Sequence, residues 1–256
     1  MKTNPKFKKV AILAVKKAGG ILKKNFRKKI NISYKKDLTP LTSVDLMSDK
    51  IITGLIKKNF PSHGILSEEN GENFGKEFTW IVDPLDGTTN YILGLPLFAV
   101  SLALIKGKEP ILSAVFNPIT EELYLAEKGR GAYLNGRKIR VNRMNNLSKV
   151  ILHFDRGTDL EGGLKMINRI APRIRTVRFH GSPDSDICPV ASGKIEGFLN
   201  SKAHYHDVIA GAFIIKKEAG GRVTDFKGKD WRRGANNVLI TNGKIHNRLL
   251  KLIKRK

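Results

Sequence analysis

The chain has 256 residues, 41% of them hydrophobic and 7% aromatic, with one cysteine and a formal net charge of +24 at pH 7. That length buries a substantial core; the lone cysteine excludes an intramolecular disulfide, and no apolar stretch reaches membrane-spanning length. So positive a chain attracts anionic substrates and contacts nucleic acid nonspecifically, but its lysines are scattered rather than interleaved with aromatics, so neither a specific nucleic-acid partner nor a membrane is expected.

Phe7, Val10, Ala11, Ala14, Ala18, Ile21 and Leu22 fall on one helical stripe, which predicts an amphipathic helix over about residues 4–28. Its apolar run Val10–Val15 is shorter than a signal-peptide core and meets Lys16-Lys17 at once, so a cytoplasmic protein is expected. In the polar loop Lys35-Lys36-Asp37 one lysine can lean toward a phosphate, the other being solvated. Thr42 or Ser43 then caps a second helix, with Asp45 in its first turn, and the stretch Ile65-Leu66-Ser67 ends in the acid pair Glu68-Glu69.

The apolar run Trp80-Ile81-Val82 leads into Asp83-Pro84-Leu85-Asp86-Gly87-Thr88-Thr89-Asn90. Pro84 stiffens this strand end, so that two carboxylates can face one cavity, and hard cations such as Mg²⁺ prefer such oxygens together with backbone carbonyls like that of Leu85. Gly87 lets backbone approach a ligand, and Thr88 and Thr89 suit a helix start whose free N–H groups attract phosphate. Metal and phosphate would meet in one place, which is the arrangement of phosphoryl chemistry.

Farther on, Leu97–Ile105 and Ile111–Phe116 read as strands joined by the turn Lys106–Pro110, Leu123–Ala126 continues the sheet behind an exposed Glu121-Glu122, and Asn135-Gly136 marks a tight hairpin turn. The second half alternates: helix 159–171, strand 175–179, helix 184–192, strand 195–199, helix 206–219, strands 222–225 and 237–241, and helix 244–254, closed by the basic Lys251–Lys256. Such alternation argues for an α/β layer. Cys188 reads as a small core residue, and His204 and His206, without a third histidine or a cysteine nearby, do not make a zinc site. The acid-rich segments all sit at element ends, with His206-Asp207 opening the buried run Val208–Phe213.

Taken in order, Lys36, Asp45, Glu68-Glu69, the Asp83 motif, Gly181, Asp207-Val208-Ile209-Ala210-Gly211 and Glu218-Ala219-Gly220-Gly221 resemble the inositol monophosphatase family of Mg²⁺-dependent, lithium-sensitive sugar phosphatases, including the archaeal enzymes that also take fructose bisphosphate. The resemblance implies a single domain over 1–256, an αβαβα sandwich of helix and sheet layers, with an α+β half of about 1–150 and an α/β half of about 151–256. It implies that Glu68, Asp83 and the Leu85 carbonyl hold a first Mg²⁺, that Asp83, Asp86 and Asp207 hold a second, and that Glu68 shares a third. Catalysis is carried over to Asp45, Thr88 and Glu68, with Thr88 bonded to Asp45 to orient a water. Substrate contacts fall to Asp86, Gly87, Thr88, Gly181 and Ser182.

The implied reaction is hydrolysis of a small sugar or polyol phosphate, inositol 1-monophosphate first, by a cytoplasmic homodimer. Asn200 stands where inositol-specific members carry a glutamate, seven residues before Asp207, and His206 replaces an aromatic. Both changes keep fructose 1,6-bisphosphate, histidinol phosphate and a nucleotide 3′-phosphate open as substrates. A non-catalytic polyanion-binding protein is the rival from another class.

Overall fold

Asn4 opens the first helix: its side chain accepts the Lys6 N–H at 2.9 Å, and Pro5 takes the first helical position, where no N–H is needed. The computed structural model describes residues 4–69, 71–155, 157 and 159–254, and this helix, α1, spans Pro5–Asn25. A short antiparallel pair follows, β1 (Ile32–Tyr34) with β2 (Pro40–Thr42). Thr42 and Asp45 then form a reciprocal capping box that starts α2 (Ser43–Asn59).

The larger sheet has eight strands: β3 (Gly64–Ser67), β4 (Gly71–Asn73), β5 (Phe78–Asp86), β6 (Ala99–Lys106), β7 (Glu109–Asn117), β8 (Glu122–Glu127), β9 (Gly131–Leu134) and β10 (Arg137–Ile139), in the spatial order β10-β9-β8-β7-β6-β5-β3-β4. Its pairs are antiparallel apart from β3 with β5. The five-residue α3 (Thr88–Ile92) follows β5 directly.

A second sheet of five strands comprises β11 (Ile151–Asp155), β12 (Thr176–Arg178), β13 (Gly197–Asn200), β14 (Arg222–Thr224) and β15 (Val238–Thr241), ordered β12-β11-β13-β15-β14. Its helices are α4 (Leu160–Ile170), α5 (Pro183–Ala191), α6 (His206–Phe213) and α7 (His246–Ile253). The expected helix over 206–219 changes form at Ile214, where the backbone continues to Ala219 as a π-helix. Near that end the Glu218 carboxylate accepts the N–H groups of Gly129 and Gly131 at 2.8 and 2.6 Å.

Three apolar clusters set the layers. Ala11, Ala14, Ala18 and Ile52 of α1 and α2 pack with Trp80, Val82 and Leu102 on one face of the large sheet. On its other face, Ile81, Ala103 and Val115 meet Ile187, Val208 and Ala212 of α5 and α6, and through them Phe198 and Ile240 of the second sheet. Leu152, Leu199 and Leu239 then turn away to meet Met166, Ile170 and Leu249 of α4 and α7. The product is the αβαβα sandwich that the resemblance implied. Cys188 lies buried as a free thiol. Among the described residues no helix is long and apolar enough to cross a membrane; Arg255 and Lys256 of the basic C-terminal run lie outside the described residues.

Candidate active site

The strand end of β5 owes its chemistry to a register slip. Asp83 pairs with Ser101 and Asp86 with Ala99, so three residue steps on β5 oppose two on β6, a one-residue β-bulge. In a regular strand two residues three apart point to opposite faces. The bulge cancels that parity: Leu85 joins Trp80 and Val82 in the cluster under α1 and α2, and Asp83 and Asp86 both turn toward α5 and α6. Ser48 of α2 fixes the bulge by donating to the Pro84 carbonyl at 2.7 Å, and the Leu85 N–H donates to Asp83 Oδ1 at 3.1 Å.

Glycine is required where the chain leaves the strand. Gly87 has φ +86, and a Cβ there would lie 2.8 Å from the Leu97 carbonyl oxygen and 2.9 Å from Ser182 Cβ. It precedes Thr88, whose Oγ1 lies 3.1 Å from both Asp45 Oδ1 and the Leu85 carbonyl. The other oxygen of Asp45 accepts the Thr42 N–H at 2.9 Å and the Thr42 hydroxyl, so the helix cap also aims the carboxylate.

Glu68 follows β3, held by its N–H to the Val82 carbonyl at 3.2 Å. Lys35 settles which lysine turns inward: its Nζ lies 2.7 Å from Glu68 and 2.8 Å from Glu69, whereas Lys36 is exposed. Asp207 opens α6 with His206 Nε2 at 2.9 Å, and Glu68, His206 and Asp207 present ligand atoms within 4.8 Å of one another. Ser182 is fully buried and donates to Asp86 Oδ2 at 2.6 Å, joined by the Ser185 N–H at 3.1 Å. Gly181, at φ +69, is exposed beside it.

The structure therefore brings Glu68, Asp86 and Asp207 within electrostatic reach of Asp83, and Glu68 within reach of Asp45, so that acids from four separate elements are linked. Sequence reading missed a sixth acid. Asp184 of α5 is fully buried, accepts the Gly211 N–H at 3.0 Å, and faces both Asp86 and Asp207. Its only sequence signal was an acid in the first turn of a helix, which capping explains equally well.

Six carboxylates with little countercharge resist ionising together. Burial, and then the charges of Glu68, Asp86, Asp207 and Asp184, push the Asp83 carboxyl well above the usual range. Burial and Asp184 do the same to Asp86, partly offset by the Ser182 bond. Burial pushes Asp184 up to about 7, although its bonds to Ser101 and Gly211 favour the charged form, and it also raises Asp45 against the pull of Thr42 and Thr88. Asp184 Oδ2 has no hydrogen-bond partner. A pocket of hard oxygen donors whose charges repel, with an orphan oxygen inside, fits divalent cations that take oxygen ligands.

The family model for the inositol monophosphatase family matches residues 4–256. Inositol monophosphatase 2 of Solanum lycopersicum is 38% identical over 93% of this chain and 94% of its own. The fructose-1,6-bisphosphatase/inositol-1-monophosphatase of Aquifex aeolicus is 36% identical over 100% of this chain and 98% of its own. Among solved structures, the extragenic suppressor protein suhB of Bartonella henselae superposes with a TM-score of 0.92 at 32% identity, covering 97% of this chain and 98% of that one.

Proposed function

The chain belongs to the inositol monophosphatase family of metal-dependent phosphatases, and from that premise we propose a Mg²⁺-dependent hydrolase of small sugar or polyol monophosphates with inositol 1-monophosphate as its first substrate. That it is a phosphoric monoester hydrolase follows from the family; ion, ion count and substrate are our reading. What carries that reading is the mutually repelling set Asp45, Glu68, Asp83, Asp86, Asp184 and Asp207 around the Gly87–Thr88 turn.

Glu68, Asp83, Asp86, Asp207 and the Leu85 carbonyl would hold two to three Mg²⁺ ions. Bound there, Mg²⁺ lowers the pKa of an attacking water and neutralises charge on the leaving oxygen. The chain itself supplies orientation. Thr88 has a single hydroxyl proton and two acceptors at 3.1 Å. Once the Leu85 carbonyl faces a cation, that proton goes to Asp45, and the Thr88 lone pairs are left to align a water against phosphorus. The N–H groups of Gly87 and Thr88, at the opening of α3, would grip phosphate oxygens. Ser182 and the Ser185 N–H fix one oxygen of Asp86, leaving the other for a cation or a sugar hydroxyl.

Fructose 1,6-bisphosphate is the second reading, supported by Asn200. This buried amide has its oxygen engaged by the Lys202 N–H at 2.8 Å, so it does not replace a carboxylate that would accept ring hydroxyls. The exposed Leu93, Leu95 and Phe179 offer apolar surface for a second copy of the chain, which supports a homodimer, here taken to work in the cytoplasm. Phosphate release from a panel of esters, with Mg²⁺ and with chelator, tests the proposal: Mg²⁺-dependent turnover of inositol 1-monophosphate, alone or with the bisphosphate, is expected. Release from no ester, or release that survives chelation, would overturn it.

A further inference from the structure

A second group of metal-capable side chains comes together on residues outside the acid set. His153 of β11, His180 in the loop after β12, and Asp186 of α5 each offer one ligand atom, and the three lie within 4.8 Å of one another. Two imidazoles and one carboxylate suit a borderline transition ion rather than Mg²⁺.

The group also has bonding capacity left over. Asp186 is fully buried; its Oδ1 meets His180 Nδ1 at 2.6 Å, while its Oδ2 has no hydrogen-bond partner. His153 is 6% exposed, and its Nδ1, although 2.7 Å from the same Oδ1, lies outside hydrogen-bonding geometry and is also without a partner. Two orphaned polar atoms on the residues of one buried cluster cost free energy that a bound cation would recover. The His180 side chain is 23% exposed, which gives an ion an entry path and leaves room for water as a further ligand.

We propose that His153, His180 and Asp186 form a second metal site that binds one Zn²⁺ or a similar divalent transition ion, separate from the acid pocket. Zinc bonds of roughly 2.0–2.1 Å hold ligand atoms farther apart than the present contacts, so binding opens the group by roughly half an ångström. His180 supplies that movement from its loop, next to Gly181 at φ +69. Occupancy also reaches the phosphatase site. The His180 carbonyl accepts from the Asn90 amide of α3 at 2.7 Å, and two residues on, Ser182 anchors Asp86.

Co²⁺ is the probe, added to the full-length protein in excess Mg²⁺. The wild type should retain one equivalent of Co²⁺ with the visible absorption of a four-coordinate ion. His180→Gln and His153→Gln should each weaken that binding at least about tenfold, while Glu68→Gln, which alters the acid pocket, should retain it. Circular dichroism checks each fold, and because His180 is partly exposed, at 23% against 8% for the His153 side chain, its variant decides the matter if the buried one does not fold. No Co²⁺ retained by the wild type, a signal that survives His180→Gln, or one that vanishes in Glu68→Gln would each overturn the site.

Discussion

The acid pocket and the histidine bridge of the second sheet are both buried and polar, yet they are built on opposite terms. His246 is fully buried between Thr224 and Thr241, with Nε2 2.9 Å and Nδ1 2.8 Å from the two hydroxyls. The Thr224 hydroxyl donates to the Asp225 carbonyl, so it accepts from Nε2–H, which makes Nδ1 the acceptor of the Thr241 proton. Every polar atom of that bridge is satisfied within the chain. In the pocket like charges face one another and Asp184 Oδ2 is orphaned. A satisfied network stabilises the fold, whereas a network short of partners marks a place where something from outside binds.

The largest test of that contrast is Asp83→Asn. Removing a carboxylate shared by the proposed ions should lower kcat/KM about a thousandfold or more, since several kcal/mol of transition-state charge stabilisation go with it. In chelator the same variant should melt at or above the wild type, because one member of a repelling cluster is gone. Scanning fluorimetry with and without Mg²⁺ reads both effects. A wild-type-like Mg²⁺-induced rise in Tm would sink the assignment of Asp83. The raised carboxyls give a sign as well. Their folded values lie above the ordinary range, Asp184 reaching about 7, so their contribution is present in acid and is lost as pH rises from about 4 through 7. Metal-free protein should lose stability over that range, and Mg²⁺ should remove the loss.

Sequence reading reached part of this and stopped where physics turns three-dimensional. The Asp83 motif stood out because Asp, Pro and Gly at a strand end restrict the backbone locally. The parity-restoring bulge could not be read, because it depends on pairing with Ser101 and Ala99 of another strand. Asp184 was hidden because an acid in a first helical turn is ordinary; what sets it apart is burial against Asp86 and Asp207. His153, His180 and Asp186 have no sequence spacing that announces a site. The π-helical stretch from Ile214 carries the same apolar pattern as an α-helix. Lys35 could not be told from Lys36 until Glu68 and Glu69 took it.

The histidine bridge gives the opposite pH dependence. Burial, and then the charge of Arg222, hold the His246 imidazolium down to about 3 against an ordinary 6.5. Stability tied to the neutral ring is present above pH 6.5 and lost as pH falls toward 3, on the order of 5 kcal/mol in all. A second proton on Nδ1 displaces the Thr241 bond. His246→Gln should therefore be less stable at pH 7 yet lose less on acidification, which urea melts at pH 7 and pH 4 resolve. Equal acid sensitivity of the two proteins would remove the bridge as the satisfied half of the comparison.

Gly87→Ala probes the geometry of the pocket rather than its charge. The left-handed backbone alone disfavours alanine by about 1–2 kcal/mol, and the new methyl meets the Leu97 carbonyl and Ser182. Relief requires the turn to shift away from Ser182, and with it the N–H groups proposed to hold phosphate. A rise in KM or a fall in kcat of about tenfold is expected, with Mg²⁺ still raising Tm because the carboxylates are untouched. Wild-type kinetics would show that the turn does not contact the phosphate.

The smallest effect tests Lys35, a cation that offsets the pocket's charge. Burial alone would lower the Lys35 pKa, but its bonds to Glu68 and Glu69 raise it instead, so the ammonium persists at any working pH. Lys35 and Glu68 are each about a quarter exposed, where ion pairs contribute at most about 1 kcal/mol, so Lys35→Met should barely move the Tm in chelator. Its effect belongs to the metal. With Glu68 released from the ammonium, Mg²⁺ should bind somewhat more tightly, while the lost positive charge should raise KM for a phosphate ester. A titration of Mg²⁺ by calorimetry separates the two: weaker Mg²⁺ binding in Lys35→Met would mean that the lysine orients Glu68 for the ion rather than competing with it, and the pocket would then be less short of partners than the comparison holds.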